Sequence, residues 1–269
     1  MGNFKDKEFD IVILAGQSNA EGNGVRINSE PLKISDKVFQ VADKNRAAID
    51  SVDGKAVIAV TMPTECVVEH AHDRSNGEFV YADLSGTFAN FYAKNDLKSG
   101  RDLLIVKTAV GGSGFAREQW GIGKPLYERM VEMTDFALSL GKNNKIVAVL
   151  WHQGEHDAFE NAQLSEKEIF DFYVDKFGAQ VKDMRLRYGN FKLITGEFVN
   201  DWADKNQPQT GAVEKALDFV CKEVGNACLV SSEGLLSNDQ KIHNGDDIHF
   251  CAESVEELGT RYYEAFKKI

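Results

Sequence analysis

The chain has 269 residues, 43% hydrophobic and 27% charged, with a formal net charge of −11. It is long enough to bury a large core, and its acidity excludes binding to nucleic acid or to an anionic membrane, because phosphate affinity rests on clustered Lys and Arg. No run approaches the ~20 apolar residues that span a bilayer, and the opening MGNFKDKEFD has no apolar leader segment and no Ser or Thr of a myristoylation site. The expectation is a soluble cytoplasmic protein, or a secreted one if a leader has been removed.

Scattered prolines, with no Gly/Ser tract and no repeat, argue for one domain. Cys66, Cys221, Cys228 and Cys251 form no CxxC pair and read as reduced, mostly buried thiols.

Short runs rich in Val, Ile and Leu at 9–16, 38–42, 103–108, 146–151, 193–198 and 228–231 alternate with amphipathic segments. That is the pattern of a mostly parallel sheet with helices on both faces, a three-layer α/β/α sandwich. In 125–140 the residues Leu126, Met130, Met133, Ala137 and Leu140 follow helical steps, with Gly141 standing where a C-cap glycine belongs. Ser165 and Glu168 make a capping-box pattern before Ile169, Tyr173, Phe177, Val181 and Met184, and a last helix carries Val255, Leu258, Tyr262 and Phe266. The stretch 47–83 has the poorest pattern and reads as an insertion over the sheet edge or over a cleft.

In an open parallel sheet the ligand crevice lies beyond the carboxyl ends of the strands. The residues that follow these strands are unusually polar: Gly16-Gln17-Ser18-Asn19, then Gly111-Gly112-Ser113-Gly114, then His152-Gln153-Gly154-Glu155, with Asp246-Asp247-Ile248-His249 before the last helix. A serine on a strand-to-helix turn exposes Oγ at the crevice, and a glycine before it allows the sharp turn. An Asp three residues before a His can accept from Nδ1 within one local turn and leave Nε2 as a base. Taken singly, the first block also reads as a polar loop with Ser18 as a helix cap, and the last as a capping Asp beside a surface His.

Together, in this order, GQSN, GG, WHQGE and DxxH resemble the SGNH-hydrolase superfamily, and within it the branch of carbohydrate esterase family 6 and the sialate O-acetylesterases. The resemblance runs from Ile11 to the last helix and implies a flavodoxin-like fold and removal of O-acetyl groups from a carbohydrate, with no cofactor or metal. It makes Ser18 the nucleophile, His249 the general base and Asp246 its orienting acid. The oxyanion hole would use the N–H of Ser18, the N–H of Gly112 (or of its neighbour Gly111) and the Gln153 side-chain amide. Ala20, His156 and GGSGFAREQW depart from the branch near the expected acyl or sugar pocket.

Gln17, Trp120 and Glu155 are candidates for substrate contact, and Trp151 reads as core. Glu155 and Asp157 are also placed to orient Gln153 or His156. HQGEH matches the H-x-x-E-H zinc pattern, but that geometry needs a helix, and this segment follows a strand and contains Gly154. His70 and His72 read as surface histidines with a metal pair or cleft lining as the alternative. GGSGF lacks the Lys of a phosphate cradle. Cys251 beside His249 would leave Ser18 without a role. Two other functional readings stand beside the esterase: a catalytically silent glycan-binding domain of the same fold, and a hydrolase acting on other esters.

Overall fold

The computed structural model describes residues 4, 7–27, 29–43, 50–52, 55–64 and 79–269. Its strands are β1 (Glu8–Gly16), β2 (Gly24–Ile27), β3 (Val38–Asp43), β4 (Asp50–Val52), β5 (Lys55–Ala59), β6 (Phe79–Ala82), β7 (Arg101–Ala109), β8 (Lys145–His152), β9 (Lys192–Gly196) and β10 (Ala227–Val230). The main sheet runs β10-β9-β8-β1-β7-β3-β5-β4; every pairing from β10 to β3 is parallel, and β5 and β4 extend it in antiparallel fashion. β2 and β6 form a separate antiparallel ribbon.

The helices are α1 (Ser18–Glu21), α2 (Leu84–Asn95), α3 (Pro125–Ser139), α4 (Glu155–Glu160), α5 (Glu166–Tyr188), α6 (Asn200–Lys205), α7 (Gln209–Val224), α8 (Asn238–Ile242) and α9 (Ala252–Lys268). α2 packs with α9 on one face of the sheet, and α3, α5 and α7 cover the other. This is the three-layer arrangement that the strand and helix patterns predict. β1 lies in the middle of the sheet and is apolar from Ile11 to Ala15, all of it buried, as a strand covered on both faces must be. Among the described residues no helix is long and apolar enough to cross a membrane.

The predicted elements recur with small changes of boundary. Ser165 and Glu168 form the expected capping box at the start of α5. Gly141, however, is not a left-handed cap. The last turn of α3 closes on Leu140 in a right-handed conformation, and Gly141 is glycine because a Cβ there would lie 2.5 Å from the Lys7 carbonyl oxygen. Of the expected insertion, 50–52 and 55–59 extend the sheet edge and 79–82 pairs with β2. Cys66, His70 and His72 lie outside the described residues.

From β1 the chain goes out to β3, β4 and β5 at one edge of the sheet and returns to β7 beside β1, then crosses to β8, β9 and β10 on the other side. β1 is therefore where the direction of winding reverses, and its carboxyl end opens into the crevice of such a sheet.

Candidate active site

β1 ends at Gly16, whose φ of 143° belongs to the region that favours glycine, and whose missing Cβ would sit 2.0 Å from the His152 carbonyl oxygen. The close contact forces the chain to turn, and Gln17 N donates to that same oxygen at 3.0 Å. Ser18 then opens α1 rather than capping it from outside. A cavity of about 450 Å³ forms above this turn, lined by Gln17, Ser18, Gly111, Gly112, Glu155 and His249, with Trp202 and Phe159 on its wall.

His249 comes to the cavity from the segment before α9, and its Nδ1 lies 2.9 Å from Asp246 Oδ2. The His249 N–H also donates to Asp246 Oδ1 at 3.3 Å, so the local turn read from DxxH is present. Burial pushes the Asp246 carboxyl up, but His249 and the Asn238 amide outweigh it and hold the group below the ordinary carboxylate value. No hydrogen bond joins Ser18 Oγ to His249 within the described structure, and both side chains face the same cavity. Such contacts commonly close only when substrate is bound.

The two glycines after β7 are not equivalent. Gly111 N donates to Glu21 Oε2 at 2.8 Å, whereas Gly112 N has no protein acceptor among the described residues. Gly112 is thus the amide that remains available to a ligand.

Gln153 is fully buried and does not line the cavity. Its Nε2 lies 2.7 Å from Asp157 Oδ2, 3.2 Å from the Ser113 carbonyl and 3.3 Å from Gln17 Oε1. Tyr173 holds the other end, donating to Gln153 Oε1 at 2.9 Å. Gln17 Oε1 also accepts from the amides of Gly154 and His156 at 3.3 and 3.1 Å. The Gln17 carbonyl is therefore fixed by three donors, while its Nε2 has no protein acceptor among the described residues.

Asp157 orients Gln153, as the sequence suggests, and also accepts from the amides of Phe115 and Ala116. Burial raises the Asp157 carboxyl above its ordinary value despite these donors. Glu155 has a different partner from those the sequence offers: its Oε1 accepts from Asn19 Nδ2 at 2.8 Å and stands 3.5 Å from His152 Nε2. Burial pushes Glu155 up, and His152 and Asn19 overcome this to hold it below the ordinary value.

Trp120 is not at the cavity. It is 1% exposed, packs edge-on against Trp151 with ring centroids 4.9 Å apart, and donates Nε1–H to Ser113 Oγ. Trp202, on α6 beyond the end of β9, is the tryptophan that meets the cavity. Phe159 and Ile248 also line it; Ile248 lies inside the DxxH block, whereas Phe159 carries no motif that would mark it in the sequence.

The two histidines of HQGEH sit on different elements: His152 ends β8 with Nδ1 3.1 Å from the Tyr262 hydroxyl, and His156 is on α4 with Nε2 3.1 Å from Glu160. The Cys251 thiol is buried against Ser254 Oγ, away from the cavity wall.

A family model described as carbohydrate esterase, sialic acid-specific acetylesterase, matches residues 8–268. A protein of Arabidopsis thaliana named as a carbohydrate esterase is 30% identical over 280 residues, covering 95% of this chain and 89% of that protein. A protein of Escherichia coli K12 named as a 9-O-acetyl-N-acetylneuraminic acid deacetylase is 28% identical over 104 residues, 33% of this chain and 32% of that one. Among solved structures, that of NanS superposes with a TM-score of 0.77 over 98% of both chains at 18% identity, a likeness of fold.

Proposed function

We propose, for a chain that belongs to the family of carbohydrate esterases and sialic acid-specific acetylesterases, that it removes O-acetyl groups from a glycan through an acetyl-serine intermediate. The observation that carries this reading is the convergence of Ser18, the Gly112 amide and the Asp246-bound His249 on one cavity at the carboxyl end of β1.

In this reading His249 Nε2 takes the Ser18 hydroxyl proton as Oγ attacks the ester carbonyl. The oxyanion forms against the N–H groups of Ser18 and Gly112, with the Gln153–Gln17 amide pair as the third donor. The bond from carbon to the sugar oxygen breaks, and His249 returns its proton to that oxygen. Water, deprotonated by the same imidazole, then attacks the acetyl-serine; the bond from the acetyl carbon to Ser18 Oγ breaks, His249 returns the proton to Oγ, and acetate leaves. Asp246 keeps Nδ1 protonated and stabilises the imidazolium formed in each half.

The test is acetate release from p-nitrophenyl acetate and from acetylated xylan by the wild type, Ser18→Ala and His249→Ala, each shown to be folded. Loss of turnover by roughly 10⁴-fold or more in both variants is expected. Retained turnover in folded Ser18→Ala would rule out Ser18 as the nucleophile. A wild type inactive on esters that nevertheless binds glycans would favour the silent binding domain.

A further inference from the structure

A second groove, of about 270 Å³, shares His249 with Ser18's cavity; its walls are the β2–β6 ribbon and the segment from α8 to His249. The ribbon's pairing decides what it presents there. Val25 stands opposite Tyr81 and Ile27 opposite Phe79, so these four side chains share one face. The other face is taken by α9: Arg26 pairs with Glu256, and a Cβ on Gly24 would meet Val255 at 2.8 Å. The face carrying Phe79 and Tyr81 is therefore turned away from α9 and towards the groove, with the two rings in edge contact at 6.3 Å.

The polar groups of the groove complement these rings. Asn23 Nδ2 donates to the Ser18 carbonyl at 3.2 Å, which leaves its Oδ1 without a partner among the described residues. Asn244 Oδ1 accepts from Asp246 N at 3.1 Å, which leaves its Nδ2 in the same state. Two aromatic side chains with one free amide acceptor and one free amide donor suit a sugar ring, whose C–H face packs on aromatics and whose hydroxyls both donate and accept. Among the described residues, the only charged side chain lining the groove apart from His249 is Asp246, and no Lys or Arg lines it. A carboxylate-bearing sugar would meet repulsion there.

We infer that the β2–β6 groove is a glycan subsite for a neutral pyranose ring, the neighbour of the ring whose acetyl group is removed. This rests on the esterase reading, which supplies the direction: the leaving oxygen takes its proton from His249, so the glycan must pass that imidazole, and His249 lines both cavities. A linear neutral glycan then lies across His249, with its ester at Ser18 and an adjoining ring on Phe79 and Tyr81.

The experiment titrates xylotriose, cellotriose and N-acetylneuraminic acid against the wild type, Phe79→Leu and Tyr81→Ala by saturation-transfer NMR. Phe79→Leu keeps an apolar residue in the ribbon, and circular dichroism checks that each variant is folded. A neutral trisaccharide should bind the wild type and weaken by about tenfold in the variants. In parallel, kcat/KM for acetylated xylo-oligosaccharide relative to p-nitrophenyl acetate should fall by a similar factor. Absence of trisaccharide binding to the wild type, wild-type affinity in folded variants, or a Phe79-dependent preference for N-acetylneuraminic acid would each overturn the inference. Failure of the esterase reading would instead show as missing ester turnover, with trisaccharide binding still measurable on its own.

Discussion

Asn19 and Glu155, 136 residues apart in the chain, meet in a buried hydrogen bond of 2.8 Å between Nδ2 and Oε1. The same Asn19 side chain accepts from Phe250 N at 3.1 Å and donates to the Ile248 carbonyl at 3.2 Å. One side chain next to Ser18 thus grips the backbone on both sides of His249 and anchors it to the end of β8. Asn19→Ala should lower stability by about 1–3 kcal/mol, the cost of leaving buried partners unpaired. It should also lower kcat by roughly 10²-fold, because a small displacement of a base is expensive in rate. Glu155→Gln keeps an oxygen for Asn19 and should retain most of the rate. Denaturant midpoints and kcat, measured on all three proteins, separate the effects; a loss of stability with unchanged kcat would refute the positioning role.

Gln153 and Gln17 form one unit, since Gln153 donates to the oxygen whose own amide nitrogen is left for the cavity. Gln153→Ala and Gln17→Ala should each reduce kcat by about 10²–10³-fold, the scale for losing one oxyanion donor. The double variant should lose no more than the worse single one. Additive losses would mean that the two amides act separately.

Lys107 and Asp83 are an almost fully buried ion pair at 3.0 Å, with Lys107 Nζ also 2.9 Å from the Glu21 carbonyl at the end of α1. Burial raises the Asp83 carboxyl, but Lys107, Ser85 and Thr64 outweigh it and hold it below its ordinary value. A depressed carboxylate contributes stability above its ordinary value and loses that contribution as pH falls through the folded value. Lys107→Met, which leaves Asp83 charged and unpaired, should destabilise by about 3–5 kcal/mol at neutral pH. Lys107→Met combined with Asp83→Asn should recover much of this in urea titrations.

Glu214 on α7 is pushed up to about 7 by burial, with the neighbouring carboxylates of Glu197, Glu155 and Asp204 adding to the shift, although Phe198 N donates to it at 3.0 Å. Between its ordinary value of 4.5 and about 7 the folded state holds a proton that the unfolded chain has released, so stability falls as pH rises through that range. Glu214→Gln keeps an acceptor for Phe198 N and removes the charge. Its Tm should exceed that of the wild type at about pH 8 and match it at about pH 4. Equal Tm values at both pH values would show that Glu214 is not strained by its charge.

The central strands, the long helices and the capping box of α5 are legible in the amino-acid order alone, because local hydrogen bonding and hydrophobic period act over a few residues. The Asp246–His249 pair is legible for the same reason, three residues being one turn. Each of the four blocks also contains residues that line the cavity, although Gln153 of the third lies buried behind it. The order of strands decided the rest. Trp120, next to a block in sequence, lies in the core, while Trp202, after β9, reaches the cavity. Glu21 takes the Gly111 amide and leaves that of Gly112, a choice between two identical residues that no local pattern can make. Asn19 with Glu155, and Val25 with Tyr81, are partners across large sequence separations. Such contacts depend on which segments the sheet brings side by side, and burial then makes each polar group take the partner within reach.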